Sequence, residues 1–87
     1  MSGRLKDLSY EGGNIITDEN SVKTVVLTGN YISTPHVSAT PIDETGNVNA
    51  YVTSVSLTGS GWTVVFRTST GEAAVNYQAW GEIRETF

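Results

Sequence analysis

The chain's one histidine, three small groups of acidic residues and the aromatic residues Tyr51, Trp62, Tyr77 and Trp80 are the side chains able to carry chemistry. A nucleophile needs a base beside it. His36 is flanked by Pro35 and Val37 with no acidic neighbour in sequence, and it reads as a strand-entry residue with a partly solvated ring. No Gly-x-Ser-x-Gly elbow occurs, because Thr58-Gly59-Ser60-Gly61 has the composition of a hairpin turn. No P-loop or dinucleotide fingerprint follows a strand. Asp18-Glu19, Asp43-Glu44 and the pair Glu82 and Glu85 fall in turns or near the terminus. There carboxylates solvate a loop rather than flank a scissile glycosidic bond. Asp43, Glu44 and Asn47 place oxygen ligands in one loop, but not at the spacing of an EF-hand. The sequence therefore predicts no enzyme activity, no metal and no cofactor.

The aromatic residues are the remaining candidates. Each can stack on a sugar face or a peptide, and each can equally be core or interface. The strands around them bear on that choice. Trp62-Thr63-Val64-Val65-Phe66-Arg67 alternates, with Trp62, Val64 and Phe66 on one face. In the segment ending at Trp80, Val75, Tyr77 and Ala79 share one face, and Asn76, Gln78 and Trp80 share the other. Trp62 and Tyr77 thus sit on regular apolar faces and are expected in the core.

Upstream, residues 22–28 are dense in β-branched side chains and stop at Gly29-Asn30. A second strand runs from His36 to Thr40, and Pro41 places it at an edge or ends it there. Residues 50–58 form a long strand closed by Gly59-Ser60-Gly61. Short strands with a turn every eight to twelve residues or so, and no helical spacing of apolar residues, predict an all-β chain. The expected fold is a small antiparallel β-sandwich of about six strands over residues 22–87. Residues 1–21 are polar and turn-rich, with Gly12-Gly13-Asn14 breaking the chain; Ile15 and Ile16 can start a short strand, and the segment is otherwise read as a short extended N-terminal arm.

Composition narrows the function. A chain of 87 residues makes one domain, and its stability is thin because it buries only roughly 63% of its unfolded surface. With no cysteine and a single histidine, disulfides and thiolate or histidine-rich metal sites are excluded. Oligomerisation is left as the source of further burial. The net charge is −4, and the five basic residues are scattered, which argues against nucleic-acid binding. Apolar runs such as Val25-Val26-Leu27 are too short to span a bilayer, so no membrane insertion is expected. Residues 1–7 lack the apolar core of a signal peptide, which points to synthesis in a cytoplasm. Several strands carry apolar groups on both faces. Val52 opposes Tyr51, Val65 opposes Val64 and Phe66, and Trp80 opposes Tyr77 and Ala79. Val52, Val65 and Trp80 are accordingly the candidate interface with further copies of the chain.

The order Pro35-His36-Val37, Val52-Thr53-Ser54-Val55, Gly61-Trp62-Thr63-Val64 and Val75-Asn76-Tyr77-Gln78-Ala79-Trp80-Gly81 resembles the H-type lectin-like domain. That domain is found at bacteriophage tail-fibre tips and in small phage virion proteins. The resemblance covers about residues 22–83 and implies a six-stranded antiparallel sandwich associating as a homotrimer. The polar and aromatic groove residues of its sugar-binding members have no counterparts that align here, so no sugar ligands are carried over. With only about twenty residues ahead of the domain, a complete product of this length would be an accessory piece rather than a whole fibre. The expectation is a non-enzymatic virion protein made in the host cytoplasm, decorating or cementing a capsid, neck or tail. Its anchor would be the N-terminal arm, through Leu5, Leu8 and Tyr10, by strand addition or by docking into pockets. The alternative is a carbohydrate-binding module, a tail-fibre tip or H-type lectin, directed at a cell-surface glycan.

Overall fold

The computed structural model describes residues 6–42 and 48–84. Six strands follow one another: β1 (Lys6–Ile16), β2 (Val22–Val26), β3 (His36–Pro41), β4 (Ala50–Thr58), β5 (Gly61–Thr68) and β6 (Ala74–Arg84). They form two three-stranded antiparallel sheets, one ordered β1-β6-β3 and the other β2-β5-β4. The fold is all-β, as the turn spacing predicts. β3 is an edge strand and ends at Pro41, whose missing N–H excludes it from a central position.

The sheets stack through the period-two faces of their central strands. Val64 and Phe66 of β5 and Val75 and Ala79 of β6 are buried between them. Phe66 meets Tyr77 across the gap, with ring centroids 5.2 Å apart. Burying a side chain such as Phe66 contributes about 1.5–3 kcal/mol. Leu27 and Tyr31 complete the buried cluster, and Trp62 packs against it half-buried. The Trp62 indole N–H donates to the Tyr31 carbonyl at 2.9 Å.

Two features depart from the local reading. Residues 6–16, assigned from sequence to an arm, form an eleven-residue strand paired along its whole length with β6. Gly12 and Gly13 do not break it. A Cβ at Gly12 would collide with the Tyr77 carbonyl oxygen, so the close approach of β1 to β6 requires glycine there. Thr17, just beyond, is among the most completely buried side chains. Its hydroxyl lies 2.9 Å from that of Thr68 and accepts the Ala73 N–H at 3.0 Å, closing that end of the sandwich.

The second departure is in β4. Its register against β5 shifts between Val52 and Ser54, so one extra residue, Thr53, bulges out. The Thr53 hydroxyl donates to the Val65 carbonyl at 3.2 Å. Val52 and Val55, three apart, therefore both face inward, opposite Phe66 and Val64.

Candidate functional site

The outer face of the β1-β6-β3 sheet carries a regular grid of side chains. Tyr77, Val75 and Ala79 face the core, so pleat alternation sends Asn76, Gln78 and Trp80 outward. Antiparallel register then sets their neighbours. Tyr10, Trp80 and His36 make one cross-strand row. Gly12, Gln78 and Ser38 make the next, and Asn14, Asn76 and Thr40 the third.

The first row is aromatic. The His36 and Trp80 rings stack with centroids 5.7 Å apart and planes at 21°. Tyr10, opposite Trp80 on its other side, is 72% exposed. In the second row the missing side chain of Gly12 leaves a depression of about 500 Å³, whose lining includes Tyr10, Asn14, Asn76 and Gln78. The Asn76 side-chain amide donates to Asn14 Oδ1 at 2.8 Å, which holds the two amides together across the strands. The result is a flat aromatic surface beside uncharged groups that both donate and accept hydrogen bonds.

The nearby Glu11 is committed elsewhere. On the inner side of β1, its carboxylate accepts the N–H groups of Thr28 and Gly29, each at 2.9 Å, the Thr28 hydroxyl at 3.0 Å and the Tyr31 hydroxyl at 2.8 Å. Burial pushes the carboxyl pKa up, but these hydrogen bonds together outweigh it and hold the group below its ordinary value of 4.5. Burial first, and then the bond to Glu11, push the Tyr31 phenol up to about 12. Burial, with the Glu11 charge as a lesser cause, also raises Tyr77.

The residues singled out from sequence are distributed over three places. Leu8, Tyr10 and Trp80 come together on the outer face just described, with Leu8 59% exposed. Val65 is half-buried on the outer face of the other sheet, between Thr24 and Ser54. Val52 faces the core rather than the surface, because of the bulge at Thr53. Leu5 lies outside the described residues, as does the loop at 43–47 that held Asp43, Glu44 and Asn47. Asp18 is a turn-former: its carboxylate accepts the N–H groups of Asn20 at 2.8 Å and Val22 at 3.1 Å. Among the described residues, no group of three or more His, Cys, Asp or Glu is gathered in metal-binding range.

Sequence reading missed Gly12, Asn14 and Glu11. The alternation Tyr10-x-Gly12-x-Asn14 was the available signal, but it acquires meaning only beside Asn76-x-Gln78-x-Trp80, more than sixty positions away. No family model matches the chain, and no curated protein or solved structure matches it either.

Proposed function

We propose that the chain is a non-enzymatic structural protein of a bacteriophage particle, a β-sandwich that associates with copies of itself as a trimer and is carried on the capsid, neck or tail. One observation carries the assembly part. Among the described residues, the buried apolar core is Leu27, Tyr31, Val64, Phe66, Val75 and Ala79, while eight large apolar side chains, including Leu8, Ile16, Val26, Ile42 and Leu57, stand exposed. These exposed groups stand apart from the apolar side chains, buried and half-buried, that pack the core. Covering each fully contributes about 1.5–3 kcal/mol, so withdrawing a few per copy rivals the roughly 5 kcal/mol stability of a small domain. The virion part rests on the resemblance in the strand motifs.

The anchoring surface changes with the fold. Leu8 and Tyr10 belong to a paired strand, so they act from a folded sheet face and not from a loose arm. Light scattering after size exclusion is expected to give three chain masses, and the protein is expected to co-sediment with assembled particles. A well-folded monomer absent from particles sinks the proposal.

A second reading, a carbohydrate-binding module, is favoured by the aromatic row Tyr10–Trp80–His36 lying against the amides of Asn14, Asn76 and Gln78. The two readings compete for this face, because an anchor through Leu8 and Tyr10 covers it, whereas sugar binding needs Tyr10 open.

A further inference from the structure

We infer that the depression over Gly12 is a binding site for a single neutral pyranose ring, an assignment that rests on the carbohydrate-binding reading and gives it a location. Size, charge and chemistry each point the same way. The depression, about 500 Å³, falls in the range of small-ligand sites and is far larger than a water or an ion requires. Its floor is backbone, exposed because Gly12 contributes no side chain, and a Cβ there is excluded by the Tyr77 carbonyl. The space is therefore built into the pairing of β1 with β6.

The walls are of two kinds. Tyr10 lines one side, with the stacked Trp80 and His36 continuing the aromatic row beyond it. An aromatic face is electron-rich and attracts the C–H groups that a pyranose presents on its less polar side. Opposite stand the amides of Asn14, Asn76 and Gln78, which offer donors and acceptors together. A sugar hydroxyl both donates and accepts, and it is matched by an amide better than by a group limited to one role.

Charge sets the class of sugar. Glu11 is also at the depression, but its carboxylate oxygens are engaged by Thr28, Gly29 and Tyr31. Among the described residues none that is basic lines the site, and the chain carries a net charge of −4. An anionic sugar would meet repulsion without a counter-charge, so a neutral hexose is the expected ligand.

The test titrates the full chain with methyl galactopyranoside and methyl glucopyranoside, with N-acetylneuraminic acid as the anionic arm, followed by tryptophan fluorescence and amide NMR. At least one neutral glycoside is expected to give saturable shifts at the side-chain amides of Asn14, Asn76 and Gln78, and the acid none. Gln78→Ala, at an exposed position that should leave folding intact, is expected to weaken binding about tenfold or more. Trp80→Ala is expected to abolish the fluorescence response. If a neutral sugar binds and Gln78→Ala and Trp80→Ala leave its affinity unchanged, the site is wrong while the carbohydrate reading survives. If neither glycoside gives a saturable response, both fall. If Gln78→Ala or Trp80→Ala changes the oligomeric state and no sugar binds, the face is a contact between copies and the assignment is overturned.

Discussion

The Tyr31 hydroxyl donates to Glu11 Oε1 at 2.8 Å, and this contact ties the segment after β2 to the far strand of the opposite sheet. The ring must cross β6 to do so. Ile83 bridges to Tyr31, and a Cβ at Gly81 would stand a tight 3.1 Å from Tyr31 Cδ1, so the glycine gives the ring room to pass. The Tyr31 carbonyl meanwhile accepts the Trp62 indole N–H. One residue thereby connects both sheets at the end opposite the Thr17–Thr68 contact.

Glu11 gives this closure an acid limit. Its carboxyl is held below 4.5 in the folded chain, so on acidification the unfolded chain takes up the proton first. Its contribution is complete above the ordinary carboxylate value and is lost as pH falls through the depressed one. Glu11→Gln is expected to be destabilised by about 2 kcal/mol at neutral pH, since hydrogen bonds to a charged group are lost. Denaturant melts should show that difference shrinking as pH falls below the ordinary carboxylate value. A constant difference across the range contradicts the assigned role.

Tyr31 sets an alkaline limit of opposite sign. The folded phenol, near 12, keeps its proton where the unfolded phenol, near 10, gives it up. The stabilisation is therefore full below 10 and lost as pH rises through about 12. Tyr31→Phe is expected to cost about 1 kcal/mol near neutral pH, because one hydrogen bond goes while Glu11 keeps its backbone partners. Ultraviolet titration of the tyrosinates should show two late-titrating groups, Tyr31 and Tyr77, in the parent chain and the loss of the Tyr31 one in the variant.

The Thr17 hydroxyl is the corresponding device at the other end. Thr17→Val keeps the shape but leaves the Ala73 N–H without its side-chain acceptor and Thr68 without its neighbour. The expected loss is about 1–3 kcal/mol, the cost of stranding buried polar groups. Thermal unfolding of Thr17→Val beside Thr17→Ser decides it, with Thr17→Ser retaining most of the stability. Equal losses in both would show that the methyl group, not the hydroxyl, matters.

Gly12 and the strand around it test the status of β1. Gly12→Ala is expected to destabilise by about 1–3 kcal/mol, because its Cβ meets backbone that cannot swing aside. Gly59→Ala, at a position with open space, is the control. Deleting residues 2–13 removes most of β1 together with Glu11, and the remainder is expected to lose cooperative unfolding by circular dichroism. A truncated chain that unfolds as sharply as the parent would restore the reading of these residues as a dispensable arm.

Local pattern was sufficient for much of this molecule. The alternation of Trp62, Val64 and Phe66, and of Val75, Tyr77 and Ala79, named the core faces of β5 and β6. Pro41 marked the end of an edge strand, and Thr58-Gly59-Ser60-Gly61 marked the turn between β4 and β5. These are short-range facts: side-chain direction follows the pleat, and turn residues act through their own backbone preferences.

Pairing and register belong to tertiary structure. β1 looked broken at Gly12-Gly13 because its stabilisation comes from β6, whose residues lie more than sixty positions away at the middle of the pairing. Val52 reads as opposite to Tyr51 and hence available for assembly, yet the bulge at Thr53 places it on the core face with Val55. The row Tyr10–Trp80–His36 joins three strands drawn from both ends and the middle of the chain, with only the Trp80 side visible in advance. A strand's periodicity says which residues share a face. Which strand lies beside it, and at what register, is decided by burial and hydrogen bonding over the whole sheet.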